Sequence, residues 1–239
     1  INEGDIAKPS PRKTCHMCLI ALEPDNLTHV CWHGKLWGNA VNYRDQAVIR
    51  KDEPIFEPAY NGECISHVMQ TGRKNGFFVT YNHPVWSMED MVDIQNYHGM
   101  HAMEICNFGC VAVGYDDYNS VAYDDMLRGN KRIYCIATDD NHNHGDPATR
   151  RYDSFGGFTM IKAEKLEYTA ITDALLKGNC YASEGPEIYN LWYEDNKVYV
   201  QCSPAAQILF NTGQRHVGRV PNAREGCFEL MENDIYVRV

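Results

Sequence analysis

Short apolar runs alternate with stretches of helical periodicity over residues 61–183, and this alternation constrains the fold more than any other feature of the chain. Ile65, Val68 and Met69 recur at the i, i+3, i+4 spacing of a helix face. The next run, FFVTYN at 77–82, predicts a buried strand, and the same order then repeats. Helices of about ten residues between short strands are typical of βαβ units and a parallel sheet. The pattern predicts an α/β fold, and both an open sheet and a closed barrel fit it.

Turn and cap residues set the boundaries of the predicted elements. Pro24-Asp25-Asn26 predicts a turn between two strands. Ser87, with Asp90 three residues later, predicts the start of a helix. In chain order, the sequence predicts a loop over 1–13, strands over 15–22 and 27–32, an irregular segment over 33–60, a helix ended by Gly72 and Gly76, a strand over 77–82, a helix over 88–97, a strand over 102–106, a helix over 119–128, strands over 132–138 and 157–163, a helix ended by Gly178 and a strand over 180–183.

The helical period disappears after residue 187, and short strand-like runs replace it. Turn residues such as Asp195-Asn196 separate these runs. The change predicts two domains, which are an α/β domain over 1–186 and a β-rich C-terminal domain over 187–239. The second domain has the pattern of a small sandwich packed on the first.

Charge and apolar content exclude several classes of partner. Apolar residues make up 44% of the sequence, which is enough for a packed core. The formal net charge of −10 disfavours binding to nucleic acid or to an anionic membrane surface. The sequence contains no run of about 18 apolar residues that would span a bilayer. Cysteines inside strand-like runs, together with the lack of a visible signal peptide, predict a reducing, cytoplasmic location.

Two predicted strands carry the first candidates for chemistry. His83 directly follows the strand over 77–82, and Pro84 cannot continue a strand ladder, so the imidazole is expected at the carboxyl end. The carboxyl ends of strands in α/β folds are where binding and catalytic groups usually lie. A structural role is the alternative for a lone histidine. Glu104 lies inside the strand over 102–106, and if its side chain points inward it needs partners.

A second polar cluster, at 139–144, follows a later predicted strand. Asp140 and His142 are two residues apart, so in an extended segment they face the same side. A carboxylate oxygen and an imidazole on one side suit zinc, manganese or iron. Asp139 is expected to orient a ligand histidine, and His144 is expected to support the site. The alternative is a solvated polar turn.

Four motifs follow one another at the ends of predicted elements. They are, in chain order, His83-Pro84, Glu104-x-x-Asn107, Asp139-Asp140-x-His142 and ALLKGNCYASEGPEI at 174–188. Their order and spacing resemble the PHP family, which is named for the polymerase-associated and histidinol-phosphatase domains. The resemblance is to bacterial members with a β-rich C-terminal tail in particular, and it covers residues 14–190, with the tail matched more loosely.

The resemblance implies a distorted seven-stranded β/α barrel of the TIM-like type that binds two or three divalent metal ions. On this basis the metal ligands are His83, Asp140 and His142, with Asp139 and His144 in supporting catalytic roles, and the metal is zinc, manganese or iron. Such a metal lowers the pKa of a bound water to about 7, and the resulting hydroxide attacks the phosphorus of a phosphate ester. The implied substrate is a small phosphorylated molecule.

The family's first motif, a His-x-His on the opening strand, has no match at the expected place. The resemblance therefore implies that the first strands of the barrel lie upstream of Ile1 and are missing from this sequence. A partial barrel leaves unpaired strand edges. Such edges favour association with another chain, so the sequence predicts homo-oligomer contacts.

Three functions fit these observations. The leading hypothesis is a metal-dependent phosphoesterase. The second is a non-catalytic or degenerate binding or scaffold protein on the same fold, because the family's upstream ligands are not in the sequence. The third is another metallohydrolase that cleaves amide or carbon–carbon bonds, since fold-level analogy is a weak guide to substrate. The sequence alone leaves open whether the chain is an enzyme.

Overall fold

The computed structural model describes most of the chain, and the described residues form 11 strands and five helices. The described residues are 2–9, 12–31, 46–48, 55–116, 118–143, 146–149 and 152–239. The strands are β1 (Asn2–Pro9), β2 (Arg12–Ala21), β3 (Phe77–Asn82), β4 (Ala102–Asn107), β5 (Tyr134–Thr138), β6 (Phe158–Ile161), β7 (Cys180–Ser183), β8 (Ile188–Glu194), β9 (Lys197–Thr212), β10 (Val217–Glu229) and β11 (Val237–Arg238). The helices are α1 (Gly62–Lys74), α2 (Met91–Gln95), α3 (Phe108–Ala112), α4 (Ser120–Arg128) and α5 (Tyr168–Leu176).

A mixed sheet with the strand order β1-β2-β3-β4-β5 forms the centre of the molecule. β1 and β2 pair antiparallel, as do β2 and β3, whereas β3, β4 and β5 are parallel. The three parallel strands therefore end at the same edge of the sheet. Because β2 runs the other way, its first half lies at that same edge, where His16 pairs with Asn82.

Two smaller sheets complete the structure. β6 pairs antiparallel with β7, and β8, β10 and β11 pair antiparallel with the long strand β9. Asp195 and Asn196 form the predicted turn between β8 and β9, with φ of 48° and 61°, as a tight hairpin requires. Arg238 of β11 donates two hydrogen bonds to Asp124 of α4, at 3.0 and 2.7 Å, which attach the C-terminal sheet to the helices of the first part.

The predicted α/β barrel is wrong. The chain is mostly β, with 38% strand and 20% helix, and the described residues form three sheets and no seven-stranded β/α barrel. Parallel pairing stops after β5, because β6 and β7 pair antiparallel with each other although α5 lies between them. On the other side, β1 and β2 form an antiparallel hairpin. The C-terminal strands form one antiparallel sheet and not the predicted sandwich.

Two predictions near the N-terminus are also wrong. Residues 2–9, predicted as part of a loop, form β1, and Pro9 at its end pairs with Arg12 of β2. The strand predicted over 27–32 forms, where the chain is described, only an isolated bridge between Thr28 and Val48. Much of the predicted irregular segment over 33–60 lies outside the described residues.

The start of α2 differs from the prediction because a carboxylate, and not a hydroxyl, caps it. The side chain of Asp90 accepts hydrogen bonds from the N–H groups of Val92 and Asp93. In turn, the side chain of Asp93 accepts a hydrogen bond from the backbone N–H of Asp90. This reciprocal capping box satisfies the first amides of the helix. Ser87, the predicted cap, instead has its Oγ 3.1 Å from Nδ1 of His83.

Most of the interior elements lie where the periodicity predicts them. β3, β4, β5, α1, α4 and α5 match the predicted runs within a few residues. α1 begins after Asn61, whose side chain accepts from the N–H of Cys64, and it ends with Arg73 and Lys74, whose charges suit a helix C-terminus. α1 is the longest described helix at 13 residues, and within the described ranges no helix has the length and apolar character needed to cross a membrane.

The two faces of the central sheet differ in polarity. One face is apolar along its length and packs against α1, α2 and α4. Its residues include Met17, Leu19, Val79, Tyr81 and Met103. The other face is apolar only at one end, where Phe78, Ala102 and Ile136 pack against Leu175 of α5. Toward the carboxyl ends of the parallel strands this second face becomes polar, and the candidate site lies there.

Candidate functional site

Glu104 is the most deeply buried charged side chain at the polar end of the sheet. It is 1% exposed, in the middle of β4, and its carboxylate accepts three hydrogen bonds. The donors are Oγ1 of Thr138 at 2.5 Å, Nδ2 of Asn107 at 3.0 Å and the backbone N–H of His83 at 2.8 Å. Burial raises the pKa of Glu104 to about 7, the three hydrogen bonds oppose that rise, and nearby Asp140 adds to it. Glu104 therefore changes its charge near neutral pH.

Asn107 joins this glutamate to a second carboxylate. Its Nδ2 donates to Oε2 of Glu104 at 3.0 Å and to Oδ2 of Asp140 at 3.2 Å. Its Oδ1 accepts from the N–H of Cys110 at 2.8 Å and so caps α3. Because the amide is fully buried and its donors and acceptor are all engaged, Asn107 fixes the two carboxylates close to each other. Glu104, Asn107 and Asp140 are called the carboxylate cluster below.

His83 lies next to the carboxylate cluster but faces another histidine. Its Nε2 is 2.6 Å from Nδ1 of His16, and its ring is 3% exposed. Its edge also contacts the ring of Trp86, with the ring centroids 5.0 Å apart. Two imidazole nitrogens at this distance share a proton, because two lone pairs facing each other would repel. His16 and His83 are called the imidazole pair below.

His16 is not among the residues that the sequence predicts for the site. The alternation of β2 contained the missing signal. Cys15, Met17 and Leu19 are buried on the apolar face, so His16 and Cys18 belong to the opposite face. The antiparallel register of β2 against β3 then brings His16 beside the end of β3, and that register could not be read from the sequence.

Asp139 has a different environment from the one predicted for it. Its Oδ2 accepts from the N–H of Phe155 at 2.6 Å, and its Oδ1 accepts from the N–H groups of Gly156 and Gly157 at 2.9 Å each. A Cβ at Gly157 would lie 2.6 Å from the carbonyl oxygen of Thr138, so a glycine is needed for this close approach. Asp139 therefore holds the loop that precedes β6, and none of these three bonds involves a histidine.

Asp140 and His142 do not share one side of an extended segment. Asp140 has a φ of 46°, in the left-handed region, so the chain turns there. His142 is exposed, its Nδ1 is 2.7 Å from the carbonyl oxygen of Asp140, and its backbone N–H donates to Asp153 at 2.8 Å. The structure thus brings His83 and Asp140 to one edge, with the imidazole of His142 at the surface beside them. His144 lies outside the described residues.

The predicted metal ligands do not form a complete metal site in the part of the chain that the structure describes. No group of three or more histidine, cysteine, aspartate or glutamate side chains is arranged there to hold a metal ion. Two imidazole nitrogens bound to one tetrahedral zinc are about 3.3 Å apart, since each lies about 2.05 Å from the metal. The imidazole pair, at 2.6 Å, would have to open before it could bind one. The donor types suit zinc, manganese or iron, but the geometry does not fit as it stands.

Comparisons with known proteins give no independent identification. No protein-family model matches the chain, and neither the curated proteins nor the solved structures include a match to it.

Proposed function

We propose that the chain is a hydrolase, and that it is a metal-dependent phosphoesterase of the kind its resemblance to PHP proteins implies. The observation that supports this most strongly is the carboxylate cluster at the carboxyl ends of three parallel strands, with the imidazole pair beside it. Buried, mutually connected titratable groups with shifted pKa values are concentrated at functional sites. The proposed substrate is a small phosphorylated molecule.

The proposed role of Glu104 is to hold and release a proton. With a pKa of about 7, it is partly protonated at neutral pH, which suits a general acid or base. Thr138 and Asn107 hold its oxygens in place. In hydrolysis, the water oxygen bonds to phosphorus and the phosphorus–oxygen ester bond breaks. The water proton passes to a base in the site, and the leaving alcohol takes up a proton.

Asp140 and the imidazole pair are the groups that we propose meet water and substrate. Asp140 is only partly buried, Asn107 links it to Glu104, and its charge helps to raise the pKa of Glu104. The proton shared between His16 and His83 gives the site a second proton-transfer group. Because the described geometry does not fit a metal, no step is assigned to one here.

Metal dependence stays part of the proposal through the resemblance, with His83, Asp140 and His142 as the proposed ligands of zinc, manganese or iron, and His83 would take this role once the imidazole pair has opened. A bound metal would activate water and neutralise phosphate charge. A cytoplasmic location is proposed as well, since all ten cysteines carry thiols and not disulfides, as in a reducing compartment. Association of two copies, through the edge of the central sheet at β1, remains a prediction that light scattering can test.

The first experiment measures hydrolysis of 4-nitrophenyl phosphate by the wild-type chain and by Glu104→Gln, with manganese, zinc or iron added in turn. Glutamine keeps the shape and the hydrogen-bond acceptor but cannot exchange a proton. We expect the variant to lose roughly 10²- to 10⁴-fold in rate, the usual contribution of a general acid or base. Glu63→Gln, at an exposed position in α1, is the matched control and should keep the wild-type rate.

Two results would contradict this proposal. One is full activity in Glu104→Gln, which would remove the carboxylate cluster from the reaction. The other is a wild-type chain without hydrolytic activity under any of the three metals, which would favour the non-catalytic binding protein. Hydrolysis of an amide substrate in place of the phosphate ester would favour the other metallohydrolase.

A further inference from the structure

A cavity of about 550 Å³ lies at the starts of the parallel strands β4 and β5. His101, just before β4, and Tyr134, at the start of β5, line it, whereas Glu104 lies three residues beyond His101 and Asp140 follows the end of β5. Three residues of a strand span roughly 10 Å, and no residue of the carboxylate cluster lines the cavity. The cavity is therefore separate from the proposed active site, and its volume is within the usual range for small-molecule sites.

The charged residues that line this cavity are all cationic, in a chain whose net charge is −10. They are Arg73, Lys131 and Arg132, and no aspartate or glutamate among the described residues lines the cavity. Lys131 is already engaged, because its Nζ donates to the carbonyl oxygens of Gln95 and Tyr97 at 2.9 and 2.8 Å. The guanidinium groups of Arg73 and Arg132 are exposed and form no ion pair with any residue that the structure describes. Two guanidinium groups are thus available to an anion.

His101 adds a neutral donor to these charges. Its Nδ1 accepts the backbone N–H of Val79 at 3.0 Å, so the ring proton is on Nε2. The ring stacks on Phe78, with the centroids 5.0 Å apart. Burial, together with the nearby charge of Arg73, lowers the pKa of His101 to about 4, which keeps the ring neutral at physiological pH. Arg73 and His101 both line the cavity.

The remaining wall is apolar and aromatic. Ile133 is buried, Tyr134 is 37% exposed, and Ile235 and Tyr236 come from the segment that leads into β11. This segment is held against the first part of the chain by the hydrogen bonds between Arg238 and Asp124. The cavity thus lies between the central sheet and the C-terminal sheet, and such junctions are common places for ligand sites.

We propose that this cavity binds a small organic anion whose phosphate or carboxylate group contacts Arg73 and Arg132 and whose apolar body packs against Tyr134 and Tyr236. Guanidinium groups bind both kinds of anion through paired N–H donors. The site is independent of the proposed hydrolysis, since it shares no residue with the carboxylate cluster. A ligand there would contact both Tyr134 of the central sheet and the segment that leads into β11.

The test is isothermal titration of the whole chain with phenylphosphonate, benzoate and neutral benzamide, which share a ring and differ in charge. We expect at least one anion to bind and benzamide not to bind. Whichever anion binds more tightly identifies the preferred group. Arg73→Gln and Arg132→Gln should each raise the dissociation constant about tenfold or more, as expected for loss of a charge-assisted hydrogen bond.

Two control variants make the result specific. Lys74→Gln removes an exposed charge next to Arg73 that does not line the cavity, and Glu104→Gln alters only the proposed active site. Both should bind the anion as the wild type does. The proposal is overturned if neither anion binds the wild type, if benzamide binds equally well, if Arg73→Gln and Arg132→Gln both bind the anion normally, or if Glu104→Gln abolishes binding. Arg73 and Arg132 are exposed, so their variants are expected to fold, and circular dichroism checks this.

Discussion

A glutamate lies at each face of the central sheet, Glu89 at one and Glu104 at the other. The two differ more in their hydrogen-bond partners than in their pKa values. Burial raises the pKa of both Glu89 and Glu104 to about 7. Glu89 accepts hydrogen bonds from three tyrosine hydroxyls, those of Tyr60 at 2.9 Å and of Tyr81 and Tyr97 at 2.5 Å each. Glu104 accepts from an amide, a hydroxyl and a backbone N–H.

The difference indicates which of the two carboxylates can do chemistry. The tyrosines around Glu89 have pKa values raised above the usual range, mainly by burial, so they remain neutral donors and cannot exchange protons with it at neutral pH. Glu104 is linked through Asn107 to Asp140, which is only partly buried, and lies beside the imidazole pair. A shifted pKa therefore indicates function only when other proton-transfer groups are within reach.

The largest expected difference between the two glutamates is in catalysis. Glu104→Gln should lower phosphoesterase activity by roughly 10²-fold or more, whereas Glu89→Gln should leave the rate within about twofold, because only Glu104 joins other titratable groups of the site. Steady-state kinetics of the two variants, made and purified side by side, measure this. Equal losses of rate in the two variants would show that Glu89 and Glu104 do not differ in their contribution to catalysis.

The next expected effect is on stability. Asn107→Ala should lower the free energy of unfolding by about 3 kcal/mol, since it removes one hydrogen-bond donor from each of two carboxylates and removes the cap of α3. Tyr97→Phe removes one of three donors to Glu89 and should cost about 1 kcal/mol. Urea denaturation of both variants tests the comparison, with Asn190→Ala, in the exposed β8, as the control. A smaller loss for Asn107→Ala than for Tyr97→Phe would contradict it.

The pH dependence of stability follows from the sign of the shift. The pKa of Glu104 in the folded chain, about 7, is above its ordinary value of 4.5, so the folded state favours the protonated form. Its contribution to stability is thus greatest below pH 4.5 and is lost as the pH rises through 7, by an amount on the order of 2–3 kcal/mol. The difference in unfolding free energy between wild type and Glu104→Gln, measured from pH 5 to 8, should therefore change. A constant difference over that range would show that Glu104 titrates normally.

The smallest expected effect concerns Asp139, which holds a loop through three backbone N–H groups. Asp139→Asn keeps two of the three acceptor contacts at Oδ1 and places an NH₂ against the N–H of Phe155. The expected cost in stability is about 1 kcal/mol, and the catalytic rate should stay close to that of the wild type. Thermal melting and the phosphatase assay measure the two quantities. A large loss of rate without a loss of stability would support the catalytic role predicted for this residue.

Periodicity determined the positions of the interior elements. β3, β4 and β5 and the helices α1, α4 and α5 lie where the spacing of apolar residues predicts them. A helix that buries one face has apolar residues at regular intervals, and a fully buried strand is a continuous apolar run, so both can be recognised from the sequence. The position of His83 at the end of β3, and of Asp139 and Asp140 after β5, follows from the same local signal.

Only the tertiary structure decided which strands pair, in which direction, and so which side chains meet. The antiparallel hairpin of β1 and β2, the antiparallel pairing of β6 with β7, and the register that sets His16 against His83 depend on contacts between distant residues. The spacing of apolar residues indicates which residues are buried, but it does not indicate which residues they contact. For that reason the sequence located the polar strand ends, while the fold assigned Glu104 and Asn107 to the centre of the site and Asp139 to a loop.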